Sequence, residues 1–185
     1  MSEMPYQNLL EALWLEFEAA PPIVFKRHAY LCTPGAFEKN VYWVEEGCFR
    51  IFSNEDGHEQ TTRFAYSGNL FALLDAFLTD QPTLFFVQAL RKTTVRRISR
   101  ADFQQVLQQS DAHVRAERYQ AYSELLERLV LQQMERERDV LTGAPAERYR
   151  RVLERSPQLF QEVPHKYIAD YLRMTPETLS RIKNS

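Results

Sequence analysis

Val163-Pro164-His165-Lys166-Tyr167-Ile168-Ala169-Asp170-Tyr171-Leu172-Arg173-Met174-Thr175-Pro176-Glu177-Thr178-Leu179-Ser180-Arg181-Ile182-Lys183-Asn184-Ser185 is the stretch whose reading decides how the rest of this chain is understood. Pro164 suits a first helical turn, because the N–H it lacks would have no intrahelical partner there, and Ile168, Ala169 and Leu172 follow on one face at helical spacing. After a short break, Thr175 offers a hydroxyl cap, Pro176 opens a second helix at fixed φ, and Leu179 and Ile182 give that helix one apolar stripe. The pattern predicts two short helices joined by a tight turn, a helix-turn-helix.

Glu177, Thr178, Ser180, Arg181 and Lys183 fall away from the Leu179/Ile182 stripe. An Arg can donate twice to guanine O6 and N7, a Glu can accept from cytosine N4, and hydroxyls and Lys can hold phosphates, so this face suits a DNA major groove. A merely solvated helix face would carry similar residue types. The run Ile168-Ala169-x-Tyr171-Leu172-x-Met174-Thr175-x-Glu177-Thr178-Leu179-Ser180-Arg181-Ile182 resembles the DNA-binding helix-turn-helix of the Crp/Fnr family of bacterial transcription regulators. The resemblance implies base-reading roles for Glu177, Ser180 and Arg181 and a phosphate contact for Thr178, and the cations Lys183 and Arg173 are expected to contact phosphate as well. It implies double-stranded DNA and a second copy of the chain as partners, with RNA polymerase besides. The Fnr-like Glu-x-x-Ser-Arg pattern matches more closely than that of the catabolite activator, whose further base-reading Arg is replaced here by Pro176. Arg173 stands where the family usually has a turn glycine. Too little sequence follows the second helix to build a β-hairpin wing, so the expectation is a winged contact missing from this unit.

The 185 residues, 44% of them hydrophobic, are enough for one or two folded domains. No run of apolar residues approaches a membrane span, and Glu3, Glu11, Glu16 and Glu18 do not fit a basic, then apolar, signal peptide, which places the protein in the cytoplasm with no membrane partner. Cys32 and Cys48 have no CxxC spacing, which favours buried free thiols over a disulfide, zinc site or iron–sulfur cluster. The net charge of −2 hides an asymmetry: residues 1–142 carry 15 Lys/Arg against 20 Asp/Glu, and residues 143–185 carry 8 against 5. The polyanion-facing surface is therefore expected at the C-terminal end.

From Tyr6 to Glu18, Leu9, Leu10, Leu13, Trp14 and Phe17 recur at helical spacing before Pro21-Pro22. From Ile23 to Ser99 the pattern changes to short β-rich runs punctuated by Pro34-Gly35, Glu46-Gly47, Asp56-Gly57 and Ser67-Gly68, predicting an antiparallel barrel or jelly roll. Leu31-Cys32-Thr33-Pro34-Gly35, Val41 to Phe52, and Ser67-Gly68-Asn69-Leu70-Phe71 are similar to the β-roll of cyclic-nucleotide-binding domains, with Gly35, Gly47 and Gly68 at the turns. The resemblance implies a phosphate cassette after the last of these glycines, in which a Glu takes the ribose and an Arg the phosphate. Here the cassette reads Ala72, Leu73 and Leu74, then Thr83 and Leu84, with both charged groups gone. A cyclic phosphate buried there would lack its counter-charge, so cyclic AMP is not expected to bind. An apolar effector, or a cassette filled by its own side chains, is left, and the filled cassette is favoured.

Ser99-Arg100-Ala101-Asp102 has the form of a capping box before a short helix, Asp102 to Gln109. The stretch from Asp111 to Asp139 contains no Gly or Pro and carries a broad apolar stripe, predicting a helix of about 42 Å at 1.5 Å per residue. That length exceeds what one small domain covers, so an isologous pair burying Tyr122, Leu125, Leu126 and Leu129 is expected. Thr142-Gly143-Ala144-Pro145 reads as a hinge, with Gly143 ending the long helix, and the following helix places Arg148, Arg150, Arg151 and Arg155 where either DNA phosphates or water would satisfy them.

The expected fold is α+β: an N-terminal antiparallel β-roll with flanking helices over residues 1–110, a dimerisation helix over 111–141, and a small helical helix-turn-helix domain over 142–185. His28, His58, His113 and His165 show no HxH or HExxH spacing, and no GxSxG or phosphate-cradling loop appears, so no catalytic residue, metal or cofactor is expected. The function expected is a dimeric sequence-specific DNA-binding transcription regulator. A β-roll sensor or signalling adaptor without DNA binding is the alternative, and it predicts a neutral outer face on the last helix.

Overall fold

The computed structural model describes residues 7–184. Tyr6, where the sequence places the start of the first helix, lies outside the described residues. Helix α1 (Gln7–Ala19) buries Leu9, Leu13 and Phe17, one residue per turn, while Leu10 is half-buried and Trp14 stays at the surface with its ring edge-on to Trp43 at 5.2 Å. Eight strands follow among the described residues: β1 (Ile23–Phe25), β2 (Tyr30–Cys32), β3 (Asn40–Glu46), β4 (Cys48–Glu55), β5 (His58–Tyr66), β6 (Leu70–Phe71), β7 (Phe86–Ala89) and β8 (Thr93–Ser99). They pair antiparallel into two four-stranded sheets, ordered β1-β8-β3-β6 and β2-β7-β4-β5. A short helix α2 (Leu74–Thr79) sits between β6 and β7, inside the predicted cassette.

Helix α3 (Arg100–Leu107) starts two residues earlier than the sequence suggests, because Ser99 is the cap and Asp102 the third helical residue of a complete capping box. Helix α4 (Ala112–Leu141) is capped by Asp111, whose carboxylate accepts from the N–H groups of His113 and Val114. Four more helices follow among the described residues: α5 (Pro145–Arg155), α6 (Leu159–Glu162), α7 (His165–Tyr171) and α8 (Pro176–Lys183). Gly143 does not end α4 in a left-handed turn: the cap is Thr142 in extended conformation, its N–H bonded to Arg138 and Asp139 carbonyls.

Three apolar clusters organise these elements. The first joins α1, α3 and Ala121 of α4 with Val41, Phe77 and Ile98. The second lies between the sheets and contains Val44, Phe49, Ile51, Leu73, Val87 and Val95. The third gathers Val152, Leu159, Val163, Ile168, Ala169, Leu172 and Leu179 with Cys48 of β4 and Leu90, just after β7, with Phe64 and Tyr66 partly buried against it. The first five residues of β4, Cys48 to Phe52, are buried without alternation. Phe49 and Ile51 face the inter-sheet core, whereas Cys48 belongs to the C-terminal cluster and Arg50 bonds to α7, so the strand is covered on both faces.

Gly47 turns β3 into β4 at φ +102°, and a Cβ there would lie 2.6 Å from the Lys92 carbonyl oxygen. Gly57 has φ +84° but open space around it. Gly47→Ala is therefore expected to lower unfolding free energy by about 2 kcal/mol or more, and Gly57→Ala by about 1 kcal/mol, since only the former adds a backbone clash to the left-handed strain. Urea titration followed by far-UV circular dichroism measures the difference.

Candidate nucleic-acid interface

Helix α7 ends in a Schellman turn. The N–H of Met174 reaches the Ala169 carbonyl at 3.0 Å and that of Arg173 the Asp170 carbonyl at 3.0 Å. Arg173 takes the left-handed position, φ 54°, that a glycine would occupy more readily. Its carbonyl accepts from Arg148 at 3.1 Å, and the same buried guanidinium reaches the Thr142 carbonyl at 2.8 Å. Pro164 is the N-cap of α7 rather than its first residue.

Thr175 caps α8, accepting from the Thr178 N–H at 3.2 Å, with Pro176 in the first turn. Leu179 is buried against Ile168, Ala169 and Leu172, and Ile182 is half-buried beside it. Burial of one such side chain contributes about 1.5–3 kcal/mol, which orients so short a helix where propensity alone would not. Glu177, Ser180 and Arg181 are exposed and line a shallow concavity with Pro176 and Asn184. The backbone N–H of Glu177, then the Thr175 hydroxyl, hold the Glu177 carboxyl below its ordinary range, so at neutral pH it is an acceptor only. Thr178 is half-buried and its hydroxyl lies 3.2 Å from that of Thr175. Lys183 places its Nζ 2.8 Å from His165 Nε2, and the half-buried Arg173 guanidinium lies 4.0 Å from the Asp170 carboxylate.

The arginines of α5 behave differently from the outward row read in the sequence. Arg148 is buried and holds the two backbone carbonyls described above. Arg151 and Arg155 both pair with Asp139, a residue with no exposure at all, and Arg151 also reaches Glu135 at 2.9 Å. Arg150 is exposed between Glu147 at 2.7 Å and Glu154 at 2.8 Å, and Arg155, though at the surface, turns its guanidinium inward to Asp139. The physical reason is the buried Asp139 carboxylate, which helical periodicity cannot reveal and which needs cations turned inward.

The cassette residues do not converge on one apolar chamber. Leu73 is packed in the inter-sheet core, Thr83 is buried, Ala72 and Leu74 are half-buried, and Leu84 is 72% exposed. The sequence reading passed over Asp75. Its carboxylate accepts from the Thr83 hydroxyl at 2.8 Å, from the Leu84 N–H at 3.0 Å and from the Ala76 N–H at 2.9 Å. Those donors thus face an internal anion instead of a ligand's. The available signal was an acidic residue in an otherwise apolar cassette.

On α4, Tyr122 is turned to its own core, edge-on to Phe103 at 5.4 Å, and Leu125, Leu126 and Leu129 are half-buried. The exposed apolar residues of this helix are Tyr119, Val130, Leu131, Met134, Val140 and Leu141. Cys32 and Cys48 are buried free thiols pushed up by burial to about 11 and about 12 respectively, which leaves them protonated and unreactive at neutral pH. Among the described residues no cluster of His, Cys, Asp and Glu is placed to hold a metal ion, and no helix is long and apolar enough to cross a membrane.

Residues 22–110 match the cyclic nucleotide-binding domain. That domain spans the two sheets and ends just after α3. No curated protein sequence matches the chain. Among solved structures, the c-di-GMP responsive global regulator CLP of Xanthomonas campestris superposes with a TM-score of 0.65 at 14% identity, over 95% of this chain and 90% of that one. FixK2 from Bradyrhizobium japonicum gives 0.67 at 20% identity, over 89% and 83%. The catabolite activator protein of Thermus thermophilus gives 0.56 at 20%, over 97% and 85%. At such identities these are likenesses of fold.

Asp75→Ala removes the acceptor of a buried hydroxyl and is expected to cost about 1–3 kcal/mol of stability. Urea denaturation checks this. Calorimetric titration of the wild-type chain with cyclic AMP is expected to show no binding heat.

Proposed function

We propose that the protein is a dimeric, sequence-specific DNA-binding transcription regulator of the Crp/Fnr type that does not respond to cyclic AMP. The observation that carries this reading is α8: a capped, two-sided helix whose buried Leu179 anchors it while Glu177, Ser180 and Arg181 stand exposed on the other side. In this reading Arg181 donates to a guanine, Glu177 accepts from a cytosine or adenine amino group, Ser180 meets a neighbouring base, and Thr178 and Lys183 hold phosphates. Arg173 contributes through charge near the backbone while its main chain forms the turn. A neutral last helix, as an adaptor without DNA binding would carry, is not what α8 presents.

The second copy is met through α4, whose exposed Tyr119, Val130, Leu131 and Met134 leave an apolar surface beside the half-buried Leu126 and Leu129. Two α8 helices then enter successive major grooves of a pseudo-palindromic site, with half-sites ~34 Å apart. Regulators of known structure such as CLP share the fold along nearly the whole chain, which supports the reading.

Selection of bound oligonucleotides from a random pool tests the proposal directly. On the selected duplex, Arg181→Ala is expected to lose about 1–3 kcal/mol of binding and to relax preference at one base pair, with little change on random DNA. Equal losses on both would make Arg181 a phosphate contact. Met134→Glu puts a charge into the proposed pairing surface, and sedimentation equilibrium is expected to show the mass of one chain where the wild type shows two.

A further inference from the structure

Besides their shared apolar cluster, the C-terminal helices meet the sheet through a ring of polar contacts centred on Arg50. Arg50 is the only charged residue within the buried start of β4, and its side chain is 4% exposed. Its guanidinium donates three ways: Nε to Thr61 Oγ1 at 2.7 Å, Nη1 to Glu59 Oε2 at 2.5 Å and Nη2 to Asp170 Oδ2 at 3.1 Å. Its flat faces lie against Phe52 at 4.2 Å and Tyr167 at 4.8 Å. Asp170 Oδ2 also accepts the Thr61 N–H at 2.9 Å and the Thr61 hydroxyl. Asp170 and Tyr167 belong to α7, the other partners to β4 and β5, so every bond of Asp170 in this ring crosses from helix to sheet.

The ring fixes more than α7. The Schellman turn and the Leu172/Leu179 packing tie α8 to α7, so the direction in which Glu177, Ser180 and Arg181 project is set by where Asp170 is held. While α7 is docked, those three residues remain exposed, so the docking leaves the reading face open instead of covering it. Independently, the cassette is closed by its own Asp75 carboxylate, which occupies donors that an anionic effector would need.

We propose that Arg50 and Asp170 are positioning residues for DNA reading, holding α8 in a binding-competent direction without any effector. The proposal rests on the DNA-binding function above and names what takes the place of a ligand in it. Arg136 completes the support from the other side, stacking on Tyr171 at 3.7 Å and donating to its carbonyl at 2.6 Å. A mechanical connection of this kind is specific because the guanidinium fork donates to its carboxylates only in one plane.

Asp170→Asn and Asp170→Ala test it, since both leave Arg50 paired with Glu59 and so avoid a buried charge with no partner. Two quantities are measured on each: amide hydrogen exchange of the free protein, and affinity for the selected and for a random duplex. The expected result is faster exchange at Thr61 and over residues 165–171 with β3 and β8 unchanged. Affinity for the selected duplex should fall about tenfold, the effect of one lost charge-assisted hydrogen bond, and affinity for random DNA should stay nearly constant. Unchanged exchange overturns the proposal. Faster exchange with undiminished selective binding also overturns it and makes the ring structural only, and tighter selective binding makes it a restraint on α8. If Asp170→Ala does not fold, the isosteric Asp170→Asn carries the test. A wild-type chain with no preference among duplexes refutes the DNA-binding reading instead, and the exchange result still decides whether the ring holds α7.

Discussion

The structure depends on a strand that has no solvent side. A strand of an antiparallel sheet commonly keeps one face for water, but the start of β4 presents Phe49 and Ile51 to the inter-sheet core and Cys48 and Arg50 to the C-terminal helices. Cys48 is surrounded by apolar side chains, including Val152, Ile168 and Leu172 from the helices, so the sheet and the helical unit share part of one interior. The single charge in that stretch would be prohibitive alone, and Glu59, Asp170, Thr61 and two aromatic faces satisfy it. The arrangement of the domains follows from that coverage.

The same principle, a buried charge answered from a neighbouring element, recurs at the end of α4. Asp139 is wholly buried, and the guanidinium groups that neutralise it come from the next helix, α5. Net stability gained from such pairs is small once desolvation is counted, but the geometry they require is narrow. They fix the angle between α4 and α5 where an apolar contact would tolerate sliding. Arg91, in the turn between β7 and β8, adds an ion pair to Glu162 of α6.

Much of this was legible in the residue pattern. The helical spacing of Leu9, Leu13 and Phe17, the turn glycines between β-rich runs, the Ser99/Asp102 box and the Thr175-Pro176 start of α8 all act within a few residues, where sequence and structure are directly linked. The inward course of Arg148, Arg151 and Arg155 was not legible, because it is set by Asp139 and by carbonyls that lie far away in the chain or only become available once the hinge has formed. Asp75 was missed for the same reason: its partners Thr83 and Leu84 meet it only when the chain after α2 folds back. Tyr122 sits on the stripe of α4 that a periodicity count assigns to a partner, yet α3 supplies Phe103 and claims it first. The exposed face of α8, by contrast, follows from the positions of Leu179 and Ile182 alone.

Arg148 donates to the Thr142 carbonyl at one end of its fork and to the Arg173 carbonyl at the other. One rigid guanidinium therefore spans both the link that follows α4 and the bend that precedes α8. Turning the helical unit about that link while keeping the bend where it is would break one of the two bonds. Hinge and reading head are geared together, and the unit swings as a single piece or not at all.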